Sequence, residues 1–380
     1  MCSDQNRQPG SISINRENGE NDPIYVAVTI DIDDISDGAL KVLKRIKPFW
    51  SISNVQFKVF TDGTTNKLIG CCIPKHNNNV DSSLSDDGDD NLNQYEVILI
   101  RIYGKNTEVL IDRQKEIENF KSLYRYGFAS RLLATFNNGL AYEYTDGKPL
   151  TKTDVYDEQI WRKIARRMAE MHRDVESNKI DAQPMLWTKI NKMFNLIPIK
   201  YSNPIKQQRR EELLPPIDEL RTEFDRLFAV VSKINSPIVY AHNDLLLGNI
   251  LYDASECLVQ FIDYEYAAYN FQAYDIGNHF TEFAGMTDID YTLYPSKEYQ
   301  LEWLREYLTH YHKNDSIVIT DEYVHRLYAD VNKFALVAHF FWSLWGHIQA
   351  EHSEIDYDFL EFASLRYNEY LEKRDSFLSL

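Results

Sequence analysis

Apolar residues recur along the first ~145 positions with the two-residue period of strands, and along the rest with the steps of three and four that mark helices. The segment IYVAVTIDID, from Ile24, alternates apolar and polar residues as a half-buried strand does, and Ile35, Leu40, Leu43 and Ile46 approximate a helix stopped by Pro48. VQFKVF, the turn TDGTTN and KLIGCCI predict a hairpin, because Asp-Gly supplies the positive φ values a tight turn needs. EVILIRIYG is apolar on nearly every residue until Arg101, as in a strand covered on both faces. EVLIDRQKEIENFKSLYRYG predicts a helix with Ile117, Phe120 and Leu123 on one face and Gly127 as its stop, and LLATFNNGLAYEYTDG predicts two short strands around Asn-Asn-Gly. The sum is an α+β arrangement built on an antiparallel sheet.

After Gly147 the texture changes. From Thr153 to Ser177 the residues Ile160, Trp161, Ile164, Met168 and Met171 mark one helical face. Between Tyr323 and Ile348, Val324, Leu327, Val331, Phe334, Ala338, Phe341, Trp345 and Ile348 give the strongest helix in the chain, with Thr320 as its N-cap. Two segments fall outside these patterns: a polar tail over 1–22, and the acidic low-complexity stretch HNNNVDSSLSDDGDDNLN within 76–94, read as a disordered insert in a hairpin. The expected division is therefore a tail, a first lobe over 23–144 and a mainly helical second lobe over 145–380.

Composition narrows the partners. A net charge of −17 opposes a general nucleic-acid or anionic-membrane surface and suits a small cation. The hydrophobic fraction of 44% is ample for a sizeable core. No stretch is apolar enough for a membrane helix; the most apolar, Phe334 to Trp345, has Lys333, His339 and His347 in or beside it. Four Cys and a start without a signal pattern point to the cytoplasm.

The most informative residues lie in IVYAHNDLLLGNILYD and LVQFIDYEY. If the apolar strands on either side pair as a hairpin, Asp244, Asn249 and Asp263 meet at one edge. Phosphoryl transfer needs such a set: a carboxylate that accepts the proton of an attacking hydroxyl, and hard oxygen ligands for Mg²⁺. Each residue alone would more often shape a turn. His172, His242 and His279 lack the spacing of a transition-metal site, and His242 is expected to orient the loop by hydrogen bonding. The acidic run lacks the ordered alternation of a calcium loop.

H-x-D-x4-N followed by I-D, and then FIDYEYAAYNFQAYDIGNHFTEFAG, resembles the choline/ethanolamine kinase family over about residues 50 to 372. The resemblance implies a two-lobed protein-kinase-like fold shared with aminoglycoside phosphotransferases, with ATP and Mg²⁺ between the lobes. By its pattern Asp244 would be the catalytic base and Asn249 and Asp263 the metal ligands. Asp62, Gly63, Thr64, Thr65 and Asn66 would form the phosphate-covering loop, Arg101 with Glu116 the strand-to-helix ion pair, and Glu143 with Tyr144 the adenine-binding hinge. Leu246, Glu265, Tyr266, Glu282, Trp342, Trp345 and Phe362 would surround the substrate, aromatic faces and a carboxylate suiting an ammonium. Leu246, where choline kinases usually carry Gln, and the text of TDGTTNKLIG and HFTEFAG favour phosphorylation of ethanolamine at the head of phosphatidylethanolamine synthesis. Choline kinase activity, another small-molecule kinase of the superfamily, and a catalytically silent module of the same fold stay open, as does a homodimer.

Overall fold

A computed structural model describes residues 22–60, 66–75, 92–176, 181–313 and 315–380. The tail up to residue 21, residues 76–91 of the acidic insert, and Asp62, Gly63, Thr64 and Thr65 lie outside the described residues. Two compact units divide between Gly147 and Lys148.

The first unit runs β1 (Ile24–Val26), α1 (Ile35–Ile46), β2 (Gln56–Phe60), β3 (Asn66–Pro74), β4 (Tyr95–Tyr103), α2 (Arg113–Arg125), β5 (Leu132–Phe136) and β6 (Gly139–Glu143). Its six-stranded sheet has the order β1-β5-β6-β4-β3-β2. All neighbours are antiparallel except β1 and β5, which run parallel. β4 explains the layering. Alternate side chains face opposite ways, so Ile98, Ile100 and Ile102 join Ala39, Val42 and Leu43 of α1 in one buried cluster. Arg101 and Tyr103 face the other side, where Phe120 of α2 packs with Leu132 and Leu140. Burying a side chain such as Leu43 contributes about 1.5–3 kcal/mol.

Four expectations need correction here. The strand expected over IYVAVTIDID is only Ile24–Val26. Beyond it the backbone turns to the β5–β6 connection instead of a ladder, with Asn137 N donating to the Val28 carbonyl (3.0 Å) and Asn138 bonding both the N–H and the carbonyl of Ile30 (3.0 and 2.9 Å). The helix expected from Glu108 starts at Arg113, behind an Asp112 cap that accepts from Lys115 N at 3.0 Å. Of the insert expected over 76–94, Leu92–Gln94 forms a short 3-10 turn with Leu92 buried. Asp22, counted with the tail, meets Lys121 Nζ at 2.7 Å.

The second unit runs β7 (Lys148–Pro149), α3 (Glu158–Asp174), α4 (Met185–Leu196), α5 (Pro204–Leu213), α6 (Ile217–Val231), β8 (Ile238–Ala241), β9 (Ile250–Asp253), β10 (Leu258–Phe261), β11 (Ala268–Phe271), α7 (Gln272–Thr281), α8 (Lys297–Tyr311), α9 (Asp321–His352) and α10 (Phe359–Leu378). α9 is the axis of this unit, a 32-residue helix whose Phe334–Ile348 stretch is buried without interruption. Thr320 caps it, accepting from Tyr323 N at 3.2 Å. α10 follows it as a further long helix of 20 residues. α7 crosses α9 at Gly277, where a Cβ would lie 2.6 Å from the Val331 carbonyl oxygen, so only glycine allows this approach.

The strand pairing around the candidate chemistry also differs from expectation. β9 pairs with β10 in a hairpin extended by β7, whereas β8 leaves that hairpin and pairs antiparallel with β11.

Candidate active site

The loop after β8 is set by buried polar side chains. Asp275 of α7, fully enclosed, accepts from His242 N (3.0 Å), Asn243 N (2.6 Å) and His172 Nε2 of α3 (2.9 Å). Asn243 has φ 66, a left-handed conformation that Asn tolerates better than most residues. Its side-chain amide donates to the Tyr266 carbonyl (3.0 Å) while its oxygen accepts from Asn270 Nδ2 (2.7 Å), which ties β8 to β11. His242 Nε2 donates to the Ile262 carbonyl (2.9 Å), leaving Nδ1 to accept from Asp244 N (3.3 Å). That is the orienting role expected of His242.

Asp244, Asn249 and Asp263 come together, by a route other than the expected hairpin. Asn249 and Ile262 close the open end of β9–β10 through Ile262 N to the Asn249 carbonyl at 3.0 Å, which places Asp263 one residue beyond, at φ 63. Asn249 Nδ2 donates to the Asp244 carbonyl (2.8 Å) and approaches Asp244 Oδ2 (3.5 Å). Burial raises the Asp244 carboxyl well above the ordinary carboxylate range, and the charges of Asp263, Glu282 and Glu265 raise it further, against Arg366. A carboxylate of raised proton affinity is suited to taking a hydroxyl proton.

The donor set fits one hard cation. The Asp263 carboxylate and the Asn249 carboxamide oxygen, whose amide nitrogen is committed to Asp244, are oxygen ligands of the Mg²⁺ type. Among the described residues no group of three His, Cys, Asp or Glu side chains is arranged to hold a metal by itself. Phosphate and water oxygens would have to complete the shell, as is usual for Mg²⁺.

A wall of aromatic rings stands beside the carboxylates. Trp342 and Trp345 on α9 are 5.6 Å apart between ring centroids, Tyr266 and Trp342 also 5.6 Å, and Trp345 and Phe362 of α10 5.8 Å. Both indole N–H groups are satisfied, Trp342 Nε1 on Asn278 Oδ1 (2.7 Å) and Trp345 Nε1 on the Tyr266 hydroxyl (2.9 Å). Glu282 directly follows α7, is buried, and accepts at Oε1 from Arg366 Nη2 (2.7 Å); its Oε2 is buried with no hydrogen-bond partner among the described residues. Leu246, half-buried, donates its N–H to the Asp244 carbonyl at 3.0 Å, and Glu265 is buried in the turn with Tyr266.

The remaining expected residues belong to the first unit. Arg101 on β4 meets Glu116 on α2 at 3.3 Å, both buried, and Arg113 Nη1 shares Glu116 at 2.9 Å. Asn66 Oδ1 accepts from Arg113 Nη2 at 3.2 Å. Glu143 N donates to the Arg131 carbonyl (3.0 Å), which removes that N–H from the atoms an adenine could use. Tyr144 stacks on Phe60 with centroids 6.3 Å apart.

Sequence reasoning missed Arg366, and gave Asp275 and Asn243 no role. Arg366 carried a usable signal. It lies in step with Phe359, Phe362 and Tyr370 on the buried stripe of α10, and a buried cation demands an anion. Of the histidines set aside, His279 donates Nδ1–H to the Leu245 carbonyl (3.0 Å), and burial lowers it to about 4.

The profile of the Choline/ethanolamine kinase family matches residues 57–371. The chain is 41% identical to the ethanolamine kinase of Drosophila melanogaster over 94% of this chain and 80% of that protein. It is 40% identical to human ethanolamine kinase 2, over 92% and 83% respectively. Among solved structures, the ethanolamine kinase of Plasmodium vivax superposes with a TM-score of 0.72 at 27% identity, covering 90% of this chain and 89% of that one.

Proposed function

The chain belongs to the choline/ethanolamine kinase family, and from that premise we propose that it transfers the γ-phosphoryl group of ATP to the hydroxyl of ethanolamine. The hydroxyl oxygen forms the new bond to phosphorus, the bond to the bridging oxygen of ADP breaks, and the hydroxyl proton passes to Asp244. The product is phosphoethanolamine, a headgroup precursor of phosphatidylethanolamine. Mg²⁺, when bound through Asn249 and Asp263, supplies charge neutralisation at the phosphates. In the first unit, Arg101, held by Glu116, is assigned to the nucleotide phosphates, as a guanidinium suits them.

The observation that carries the choice of alcohol is Glu282 Oε2, a buried carboxylate oxygen with no hydrogen-bond partner among the described residues. An unpaired buried acceptor is costly. A primary ammonium brings three N–H donors and satisfies it; a trimethylammonium brings none. The aromatic wall supports choline as a second, slower substrate, because ring faces hold either cation. The test is kcat/KM for ethanolamine and choline in a coupled ADP-release assay, since that ratio is the specificity. A large excess for ethanolamine is expected. Equal or greater efficiency with choline would overturn the assignment.

A further inference from the structure

Tyr266 is held on two sides. Its hydroxyl accepts from Trp345 Nε1 at 2.9 Å, and its ring meets Trp342 in a T-shaped contact at 5.6 Å. Lys189, half-buried on α4, adds a third contact: its Nζ stands 4.6 Å from the centroid of the Tyr266 ring. That is cation–π range, and the ring is one of those assigned above to the substrate's own cation. A quaternary ammonium depends on aromatic faces, because it has no N–H to offer a carboxylate. A primary ammonium can instead be taken by Glu282 Oε2, without the Tyr266 face.

We propose that Lys189 is a specificity-determining residue, whose ammonium holds the face of Tyr266 and repels a trimethylammonium group from it, so that the pocket favours ethanolamine over choline. The inference rests on the reading of the second unit as the amino-alcohol site. It adds what the aromatic wall lacks, since Tyr266, Trp342 and Trp345 alone would welcome choline. The summed charge of Asp244, Asp263, Glu265 and Glu282 attracts any cation, and within that cluster only the Glu282 Oε2 hydrogen bond separates a primary ammonium from a quaternary one. Lys189 places like charge where only the bulkier cation needs to go.

Lys189→Met keeps most of the side-chain volume and removes the charge; Lys189→Arg keeps the charge. In Lys189→Met the choline-to-ethanolamine ratio of kcat/KM should rise by roughly 3- to 30-fold, the span expected from losing one cation–π competitor. The gain should lie in KM for choline, and Lys189→Arg should stay near the wild-type ratio. Tetramethylammonium, titrated calorimetrically into the full-length protein, probes the same face without turnover and should bind more tightly to Lys189→Met by a similar factor. An unchanged ratio with unchanged tetramethylammonium affinity would overturn the proposal. So would an equal fall in kcat on both alcohols, which would assign Lys189 to the phosphates. Failure of the wild type to phosphorylate ethanolamine would instead strike the reading beneath, and the tetramethylammonium titration would still decide the role of Lys189.

Discussion

Replacing Asp275 tests whether the loop that carries Asp244 is held from behind. The carboxylate is fully buried and accepts from two consecutive backbone N–H groups, His242 at 3.0 Å and Asn243 at 2.6 Å, and from His172 Nε2 at 2.9 Å. Burial alone would raise its pKa; the hydrogen bonds from His172 and from the Asn243 backbone N–H outweigh that and hold it below the ordinary value, so it is an anion at neutral pH. Asp275→Ala strands three buried donors, at about 1–3 kcal/mol each in the worst case. Partial rescue by entering water brings the expected loss to about 3–5 kcal/mol, the usual cost of removing one side of a buried charged network. For a unit of this size that lowers the melting temperature by on the order of 10 °C. Asp275→Asn keeps one acceptor oxygen and should fall between. The kinetic signature separates positioning from general damage. With His242 and Asn243 released, the Asp244 carboxylate drifts, and a displacement of about 1 Å can cost on the order of 10² in rate. Glu282 directly follows α7 and the two indoles sit on α9, so KM for ethanolamine should move far less than kcat. The assays are urea denaturation and steady-state kinetics on folded protein at low temperature. A loss under about 1 kcal/mol together with kcat within twofold of wild type would refute the reasoning.

Two further outcomes follow from other parts of the second unit. Gly277→Ala would push a methyl group to 2.6 Å from the Val331 carbonyl oxygen and 2.9 Å from Ala335 N, so α7 and α9 must separate; a loss of about 1–3 kcal/mol by thermal or urea unfolding is expected, and a neutral result would refute the close approach. His347 is buried on α9 and its pKa is lowered to about 3, so the folded chain keeps it neutral while the unfolded chain binds a proton below its ordinary value near 6.5. Stability must therefore fall as pH drops through 6.5 toward the folded value, and from pH 7 to pH 5 the wild type should lose about 2 kcal/mol more than His347→Leu does. Equal losses in the two proteins would refute it.

The periodic elements were legible because their information is local. β3, β4 and α9 each carry enough apolar residues in one stretch to fix their type, and the Asn138-Gly139 dipeptide punctuates the β5–β6 hairpin. What could not be read was which edge a short strand chooses. β8 and β10 are both four-residue apolar segments, and periodicity gives no reason for β8 to pair with β11. The deciding contacts are side chain to backbone and far apart in sequence: Asp275 reaches back 33 residues to His242 N, and Asn243 meets Asn270 across 27. The truncated β1 has a similar cause, since Asn138 bonds Ile30 from 108 residues away.

The candidate site divides along the same line. Asp244, Asn249 and Asp263 announce themselves by chemistry and spacing, because phosphoryl transfer needs few residue types in a fixed order. The proposed ammonium side of the pocket draws on separate elements: Lys189 from α4, Glu282 after α7, the indoles from α9, and Arg366 from α10. No local pattern links these residues, and Arg366 lies 84 positions from the carboxylate it binds. Arg366 breaks the rule of its own helix by putting a cation in the buried stripe of α10, and Lys189 of α4 sets its ammonium over the ring of Tyr266. Such violations are costly for a fold and persist where another requirement outweighs stability. On the function proposed above, that requirement is recognition. Arg366 engages one oxygen of Glu282, the other is proposed to take the ligand, and Lys189 is proposed to hold the aromatic face that a bulkier cation would need. Selectivity for a primary ammonium then rests on a balance of buried charges, which substitution of either basic residue should shift without altering the carboxylates that carry the chemistry.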